Sequence, residues 1–300
     1  MVGKTYISAL ILFCFKSHTT CLLDQSCVGS SGFFKNRVET MWLLILEGLS
    51  IGCLLGLTGA GGGILAVPAL MLSQGWSIQQ AAPVGLLAIT ISALVGTIEG
   101  LSHKIVRYRA ALWIALISIP FAHYGVQLSQ HLPTTWLSGG FGLVMLIVAY
   151  RIFFNHVHDI QNPPCKINQQ TGRLIWNFKT ASILGTLGII TGTLTGLLGV
   201  GGGFIIVPAL RKVTNLSTKS IVATSLMIIA SIGCISIAMH MQQGFHYPLT
   251  TTAYFVIACM IGMLVGRQLI RSISIYWVQR IFACTVTGVA LYLILSSLSQ

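Results

Sequence analysis

Long apolar stretches separated by short polar connections make up almost the whole chain after residue 41. A helix needs about 20 apolar residues to cross a lipid bilayer, and eight blocks approach or exceed that length. They are Trp42–Leu72, Ala82–Leu101, Ala110–Leu128, Thr134–Phe154, Ala181–Leu210, Ile221–Met241, Leu249–Leu269 and Ile275–Leu298. Backbone amides inside a bilayer must bond within the protein, so each block is expected to be helical. The pattern predicts an all-α polytopic membrane protein.

One polar stretch divides the eight blocks into two groups of four. It covers residues 155–178 and includes Asp159, Pro163, Pro164, Lys166 and Arg173. We therefore expect a first transmembrane repeat at 41–154, a linker at 155–178 and a second transmembrane repeat at 179–300. Residues 1–40 do not follow this plan, because their apolar run Tyr6–Phe15 is only about half a span. We expect this leader to be dispensable for insertion and activity.

Composition supports a lipid environment and excludes several classes of protein. Apolar residues make up 54% of the chain and charged residues 7%, against roughly a quarter charged in soluble domains. The net charge of +12 comes from Lys and Arg lying between apolar blocks, as in cytoplasmic loops, and does not form a nucleic-acid surface. The sequence predicts a multi-pass protein of the cell (plasma or inner) membrane, with the bilayer as partner. It leaves the oligomeric state open.

A sharp motif occurs once in each half. Gly56–Leu70 reads GLTGAGGGILAVPAL and Gly196–Leu210 reads GLLGVGGGFIIVPAL, so ten of fifteen positions are identical without a gap. This alignment pairs Gly56 with Gly196 and Leu70 with Leu210, and residues paired in the same register are called equivalent below. Internal duplication of this kind is typical of secondary transporters. It predicts two homologous repeats of four blocks each.

The paired Gly-x-x-Gly-x-Gly-Gly-Gly-x-x-x-Val-Pro-Ala-Leu segments resemble the sulfite exporter TauE/SafE family of membrane permeases. Thr224-Ser225-Leu226 also resembles the Thr-Ser-Leu of that family, whereas the first half has Val84-Gly85-Leu86 at the corresponding place. The resemblance covers about residues 41–298. It implies transport of a small anionic substrate, sulfur-containing such as sulfite or an organosulfonate.

The chemistry of the motif points to an anion independently. Three consecutive glycines followed by a proline interrupt a helix, which leaves unpaired N–H groups and a positive helix end inside the bilayer. The candidate substrate-binding residues are Gly59, Gly61, Gly62, Gly63, Pro68, Gly199, Gly201, Gly202, Gly203 and Pro208, to which the resemblance adds Thr224 and Ser225. The alternative is that these glycines only allow close helix packing, but their duplication favours a site. No Gly-Lys-Ser/Thr follows, so a nucleotide-binding loop is excluded.

Ionisable and nucleophilic residues suggest little further chemistry. Glu47 and Glu99 are candidates for proton coupling, or alternatively for placement at the membrane interface. The cysteines form no Cys-x-x-Cys pair, and the histidines are expected mostly in loops (His156, His158, His240, His246). We predict no metal, no cofactor and no enzymatic activity. The predicted function is secondary transport of a small anion, and the alternative is an intramembrane enzyme or assembly protein that uses the repeat as a scaffold.

Basic residues predict that the two halves are inverted. The first connection of the first half, Ser73–Ala81, has no Lys or Arg, and the next connection is basic. In the second half the first connection is basic, Gln242–Pro248 is not, and Arg267, Arg271 and Arg280 surround the one after it. Short basic loops stay cytoplasmic, so Ala181–Leu210 and, by symmetry, Trp42–Leu72 should each enter and leave on one side as a hairpin broken at its glycines. The alternative is that all eight blocks cross.

Overall fold

The computed structural model of the protein describes residues 32–59, 62–154, 177–214, 216–242, 248–269 and 275–298. By its internal contacts the chain divides into a unit of Met1–Trp42 and a unit of Leu43–Gln300. In the first unit the described residues, from Gly32 onward, are helical. The predicted leader therefore falls largely outside the described residues, as does most of the linker at 155–178. All the contacts given below lie within the second unit.

All ten regular elements of the described residues are α-helices. They are α1 Gly32–Thr58, α2 Gly62–Gln74, α3 Ile78–Ser102, α4 Tyr108–His131, α5 Thr134–Phe154, α6 Phe178–Leu198, α7 Gly203–Val213, α8 Thr218–Gln242, α9 Leu249–Leu269 and α10 Ile275–Leu298. Seven of them (α1, α3, α4, α5, α6, α8 and α9) contain segments long and apolar enough to cross a membrane. The predicted all-α, multi-pass membrane architecture is confirmed.

Each of the two longest apolar blocks contains two helices that meet at the glycine motif. Gly59 follows α1 with φ +78° and Gly199 follows α6 with φ +66°. Their N–H groups bond the carbonyls of Leu55 and Thr195, at 2.7 and 2.9 Å. This left-handed conformation costs an L-residue roughly 1–2 kcal/mol, so a glycine is the residue that can end the helix at both places.

The chain reverses direction after each break. A Cβ added to Gly62 would touch the Ile51 carbonyl oxygen and lie 2.6 Å from the Leu55 nitrogen, although a continuous helix would separate residues 51 and 62 by roughly 16 Å. Further along, the Ser73 side chain lies against the carboxyl group of Glu47. Helix α2 therefore runs back along α1, and residues 43–74 are called the first hairpin.

Helices α6 and α7 make the same reversal. A Cβ on Gly202 would lie 2.8 Å from Thr195 Oγ1 and 2.9 Å from the Thr191 carbonyl oxygen, so α7 begins beside the last turns of α6. Residues 178–213 are called the second hairpin. Each hairpin also packs closely on one long helix, because glycines spaced four apart let two backbones approach. Gly48, Gly52 and Gly56 of α1 face α9, and Gly188, Gly192 and Gly196 of α6 face α4.

The helix bounds and helix partners correspond between the halves. Helices α3 and α8 begin and end at equivalent positions, since residues 78–102 pair with residues 218–242 in the register of the motifs. Helix α1 packs on α9 as α6 packs on α4, and α3 packs on α8. Two repeats related by a twofold axis would produce this pairing. The repeat and its inverted orientation stay predictions.

One polar residue, His240, lies elsewhere than the sequence indicated. His240 was expected in a loop, and this is wrong: it lies in the last turn of α8 and is buried, with Nδ1 2.8 Å from the Ser236 carbonyl oxygen. The contact within the helix gives one ring nitrogen of His240 a hydrogen-bond partner, so the polar imidazole can be buried in the last turn of an apolar helix. Arg267, expected beside a connection, lies in the last turn of α9, with its side chain directed at α3.

Candidate functional site

The two glycine breaks lie next to each other. A Cβ on Gly63 would be 2.8 Å from the Val200 carbonyl oxygen and 3.4 Å from the side chain of Ile89. A Cβ on Gly201 would be 3.1 Å from Ile229 and 3.7 Å from the same Ile89. Ile89 and Ile229 lie near the centres of α3 and α8. Two segments from opposite halves of the sequence thus come together against the middle of two crossing helices.

Both short helices begin at this meeting point. Helix α7 starts after two consecutive left-handed glycines, Gly201 with φ +74° and Gly202 with φ +60°, and its N-cap, Gly202, has no side chain to cap the first turn. The first N–H groups of a helix have no partner within it, and the helix dipole adds positive potential there, worth about 0.3–1 kcal/mol for an anion. With α2 beginning at Gly62, two such helix ends converge, and the arrangement suits an anion.

Hydroxyl groups surround the breaks. Ser225 Oγ donates to the carbonyl oxygen of Gly59 at 3.0 Å, so this predicted site residue does contact a break. Thr195 Oγ1 lies beside Gly202 while donating to the Thr191 carbonyl oxygen at 2.7 Å. Both threonines are buried.

Sequence reasoning missed one hydroxyl in this region. Ser92 is fully buried, and its Oγ has no hydrogen-bond partner among the described residues. It lies three residues after Ile89, on the same face of α3, and Ile89 lies beside Gly63 and Gly201. A buried hydroxyl without a partner costs free energy that a bound ligand or water would recover. A single serine in an apolar helix has no motif around it, so only the packing reveals its position.

The other predicted site residues are distributed more widely. Gly62 packs between the arms of the first hairpin, as Gly202 does in the second. Gly203 is the first residue of α7, and Gly61 lies outside the described residues. Pro68 and Pro208 lie inside α2 and α7, more than a turn beyond the breaks.

Thr224 does not contact a break. Its Oγ1 donates to the Ser220 carbonyl oxygen at 2.6 Å and accepts from the Arg107 N–H at 3.1 Å. Thr224 therefore fastens the α3–α4 connection to the start of α8. The structure brings only Ser225 of the Thr-Ser pair to the glycine motif.

The two candidate carboxylates lie away from the meeting point, in different surroundings. Glu47 is half-buried in the first hairpin next to Ser73, and neither its Oε2 nor Ser73 Oγ has a well-formed hydrogen bond among the described residues. Glu99 lies in the last turn of α3 with its side chain 42% exposed, and its Oε2 is 3.2 Å from Arg267 Nη1. The carboxylate of Glu99 is thus paired with a cation, and that of Glu47 is not paired with any described residue.

Comparison with known proteins identifies the family of the chain. A model of the sulfite exporter TauE/SafE family matches residues 44–293, which include both glycine motifs and all the helices between them. The chain belongs to the TauE/SafE family. The resemblance read from the paired motifs is confirmed.

Relatives of this TauE/SafE protein bear transporter names. A "Probable membrane transporter protein" of Xylella fastidiosa (strain Temecula1) is 28% identical over 260 residues, which cover 86% of this chain and 96% of the relative. Similar names apply to YunE of Bacillus subtilis, 29% identical over 67% of this chain and 78% of its own length, and to a protein of Methanocaldococcus jannaschii, 29% identical over 68% and 75%. No solved structure matches the chain.

The family and the relatives' names point to a membrane transporter rather than to an enzyme. Among the described residues there is also no group of three or more His, Cys, Asp or Glu side chains that could hold a metal ion. The four described cysteines, Cys53, Cys234, Cys259 and Cys284, are free thiols on helices.

Proposed function

We propose that this TauE/SafE transporter is a secondary carrier that binds one small, sulfur-containing anion, of the sulfite or organosulfonate class, where its two glycine breaks meet. The observation that carries the proposal is the close approach of Gly63 to Val200 and of Gly201 to Ile229, where an added Cβ would meet each of them, both beside Ile89. The converging N-termini of α2 and α7 supply N–H donors and positive potential there. The substrate class follows the name of the family.

The distribution of charge favours an anion over a cation. The chain has only five acidic residues, of which Glu47, Glu99 and Asp159 lie after residue 43. Glu47 and Glu99 lie several turns along their helices from the breaks. A cation bound at the breaks would have only carbonyl and hydroxyl oxygens as ligands, opposed by two positive helix ends. An oxyanion would find a hydroxyl donor in Ser92 and the positive N-terminal ends of α2 and α7.

Inverted halves would allow the site to open to either side in turn, as in other transporters built from inverted repeats. Contacts at the helix ends support this arrangement. Ser220 Oγ donates to the Ile105 carbonyl oxygen at 2.6 Å, which joins the basic α3–α4 connection to the basic α7–α8 connection. At the uncharged connections, Gln79 Nε2 donates to the Ser129 carbonyl oxygen at 3.2 Å. Basic and non-basic connections therefore group separately, as expected if each hairpin enters and leaves on one side.

A coupled proton, if the carrier uses one, fits Glu47 better than Glu99. Arg267 already balances the charge of Glu99. Glu47 has no cation beside it among the described residues, and one of its oxygens is buried without a partner. A buried carboxylate without a counter-charge needs a proton or a bound cation. We therefore assign proton coupling to Glu47.

Flux measurements in proteoliposomes containing the purified full-length chain test the proposal. Uptake of sulfite should saturate with concentration, and methanesulfonate should compete better than acetate. Ser92→Ala should raise the KM for sulfite by about tenfold, the effect of losing one hydrogen bond to a charged group. Ser138→Ala is the matched control, because that hydroxyl lies in α5 and bonds its own helix at the Thr134 carbonyl oxygen. Flux that rises linearly with concentration, or an unchanged KM in Ser92→Ala, would contradict the proposed site.

A further inference from the structure

A second positively charged feature lies where α9 packs against α1 and the end of α3. Arg267, in the last turn of α9, has a side chain only 13% exposed. Its Nη1 donates to the Gly96 carbonyl oxygen at 2.6 Å and lies 3.2 Å from Glu99 Oε2. Both contacts join α9 to the end of α3. Burying a guanidinium to this extent costs free energy unless the group is paired.

Most of the N–H donors of the Arg267 guanidinium take no part in the ion pair. An arginine has five N–H donors, and the two contacts above both involve Nη1. Among the described residues, Nε and Nη2 have no hydrogen-bond partner, and neither is a fully buried unsatisfied atom. Strong Arg–carboxylate pairs are commonly bidentate, whereas Glu99 is held through one nitrogen and is 42% exposed. The edge formed by Nε and Nη2, which suits the two oxygens of a planar or tetrahedral oxyanion, is therefore open.

This arginine is connected to the first hairpin by direct packing. A Cβ on Gly56 would lie 3.0 Å from the Arg267 backbone nitrogen, and Gly56 is three residues before Gly59. A Cβ on Gly96 would lie 3.3 Å from Arg267 Nη1 and 2.8 Å from Leu226. Leu226 adjoins Ser225, which bonds Gly59. The backbone of Arg267 thus packs on the last turn of the helix that ends at the first break, while its guanidinium lies between α9 and the end of α3.

The equivalent positions carry no such pair. In the register of the glycine motifs, Arg267 is equivalent to Gln127 of α4, and Glu99 is equivalent to Met239 of α8. A contact needed to hold two packed helices together would be useful at both places, yet this one occurs only between α3 and α9. The asymmetry fits a role in binding on one side of the membrane.

We propose that Arg267 is a second anion subsite, in which the Nε–Nη2 edge binds the substrate oxyanion and the carboxylate of Glu99 is a built-in competitor for the guanidinium. This inference rests on the proposed function and names a further residue that contacts the transported anion. The arriving anion draws the guanidinium away from Glu99 and then passes to the break at Gly59. The carboxylate of Glu99 is 42% exposed, and solvent screening on that side keeps the pair weak, so a substrate can displace it.

Kinetics of four variants in proteoliposomes, with sulfite as the probe, test this subsite. Arg267→Gln should raise the KM for sulfite by about tenfold or more, as expected when a charge-assisted hydrogen bond is lost. Glu99→Gln should lower the KM, by up to about fivefold, because the competitor is removed. The double variant should resemble Arg267→Gln, since Glu99 acts only through the arginine. Arg151→Gln, which removes an exposed cation from the last turn of α5, is the matched control and should leave the KM unchanged.

A purely structural ion pair gives a different result. Both single variants would then lower flux and the unfolding temperature together, and the double variant would recover part of the loss; that pattern overturns the subsite. An unchanged or raised KM in Glu99→Gln overturns it as well. Wild-type liposomes distinguish the two proposals, because absence of saturable sulfite uptake there is a failure of the proposed function and not of the subsite. The unfolding temperature of the purified chain, with and without sulfite at fixed ionic strength, gives a second readout, and its rise on adding sulfite should be smaller in Arg267→Gln.

Discussion

The two hairpins share a backbone design but differ in their side chains. Both end their first helix at a glycine with positive φ, Gly59 or Gly199, and both fold the second helix back along the first. Two side chains beside each break differ, however. The first hairpin has Ile51 and Leu55 there, and the second hairpin has threonines, Thr191 and Thr195, at the equivalent positions. The glycines determine where the helices break, and these neighbouring positions determine how polar each break is.

Charge and hydroxyl groups are also divided unequally between the hairpins. The first hairpin holds Glu47, and the equivalent residue of the second hairpin is Leu187. The second hairpin instead has buried hydroxyls that pack on α4, where Ser118 Oγ lies 2.8 Å from the Gly188 carbonyl oxygen and 3.5 Å from Thr191 Oγ1. Under the proposed function, the shared backbone would bind the substrate, and the unshared side chains would provide coupling in the first half and internal hydrogen bonding in the second.

The largest expected effect comes from filling the space at the two breaks. Gly62→Val and Gly202→Val should each abolish transport and leave protein in the membrane. A Cβ at either position meets backbone carbonyl atoms of the same hairpin, and Gly202 also has φ +60°, which a β-branched residue disfavours. The measurement is sulfite flux in everted vesicles, normalised to the abundance of the protein in the membrane.

Gly140→Val is the control for that experiment, because a Cβ at Gly140 would have nothing within 4 Å. Its flux should equal that of the wild type. If both hairpin variants transported normally at wild-type abundance, the breaks would not form the site. If only one lost activity, the two hairpins would not be equivalent in backbone function.

Cysteine labelling tests whether the two hairpins enter the membrane from opposite faces. Single cysteines introduced at Gln79 and Lys219, both exposed at the starts of α3 and α8, should label from opposite sides of the membrane. The background is a chain whose eight native cysteines have been replaced. Labelling of both positions from the same side would show that the halves are not inverted and that the α1–α2 and α6–α7 blocks cross completely.

The unequal placement of charge predicts a coupling defect confined to the first hairpin. Glu47→Gln keeps the shape of the side chain but cannot exchange a proton. The variant should therefore transport sulfite down its concentration gradient while losing the acceleration by an imposed pH gradient that wild-type liposomes should show. Leu187→Gln, at the equivalent position of the second hairpin, is the control and should keep that acceleration. A response to the pH gradient that survives in Glu47→Gln would exclude this carboxylate as the coupling group.

The features that the sequence predicted are those that depend on backbone or on long apolar runs. The all-helical, multi-pass architecture follows from the apolar runs and from the need to satisfy backbone amides in lipid. Individual polar side chains were harder to place. Thr224 was linked to the site by motif resemblance, but resemblance does not give the direction of a side chain, and its hydroxyl contacts the Arg107 N–H. Ser92 and Arg267 belong to no repeated motif, so their roles could be inferred only after α3, α8 and α9 were packed.

The smallest expected effect concerns the hydroxyl that distinguishes the two breaks. Ser225 Oγ bonds the Gly59 carbonyl oxygen at 3.0 Å but also lies 2.8 Å from the Val222 carbonyl oxygen, so its single proton is shared and Ser225→Ala should cost only about 1 kcal/mol. We expect a fall of a few degrees in unfolding temperature and a rise of a few-fold in KM. The equivalent residue of the first half is Gly85, where a Cβ would approach Val67 Cγ2 to 3.3 Å. Gly85→Ser should therefore be tolerated with a similarly small change, and a Ser225→Ala variant that loses all transport would show that this hydroxyl binds the substrate directly and does more than support Gly59.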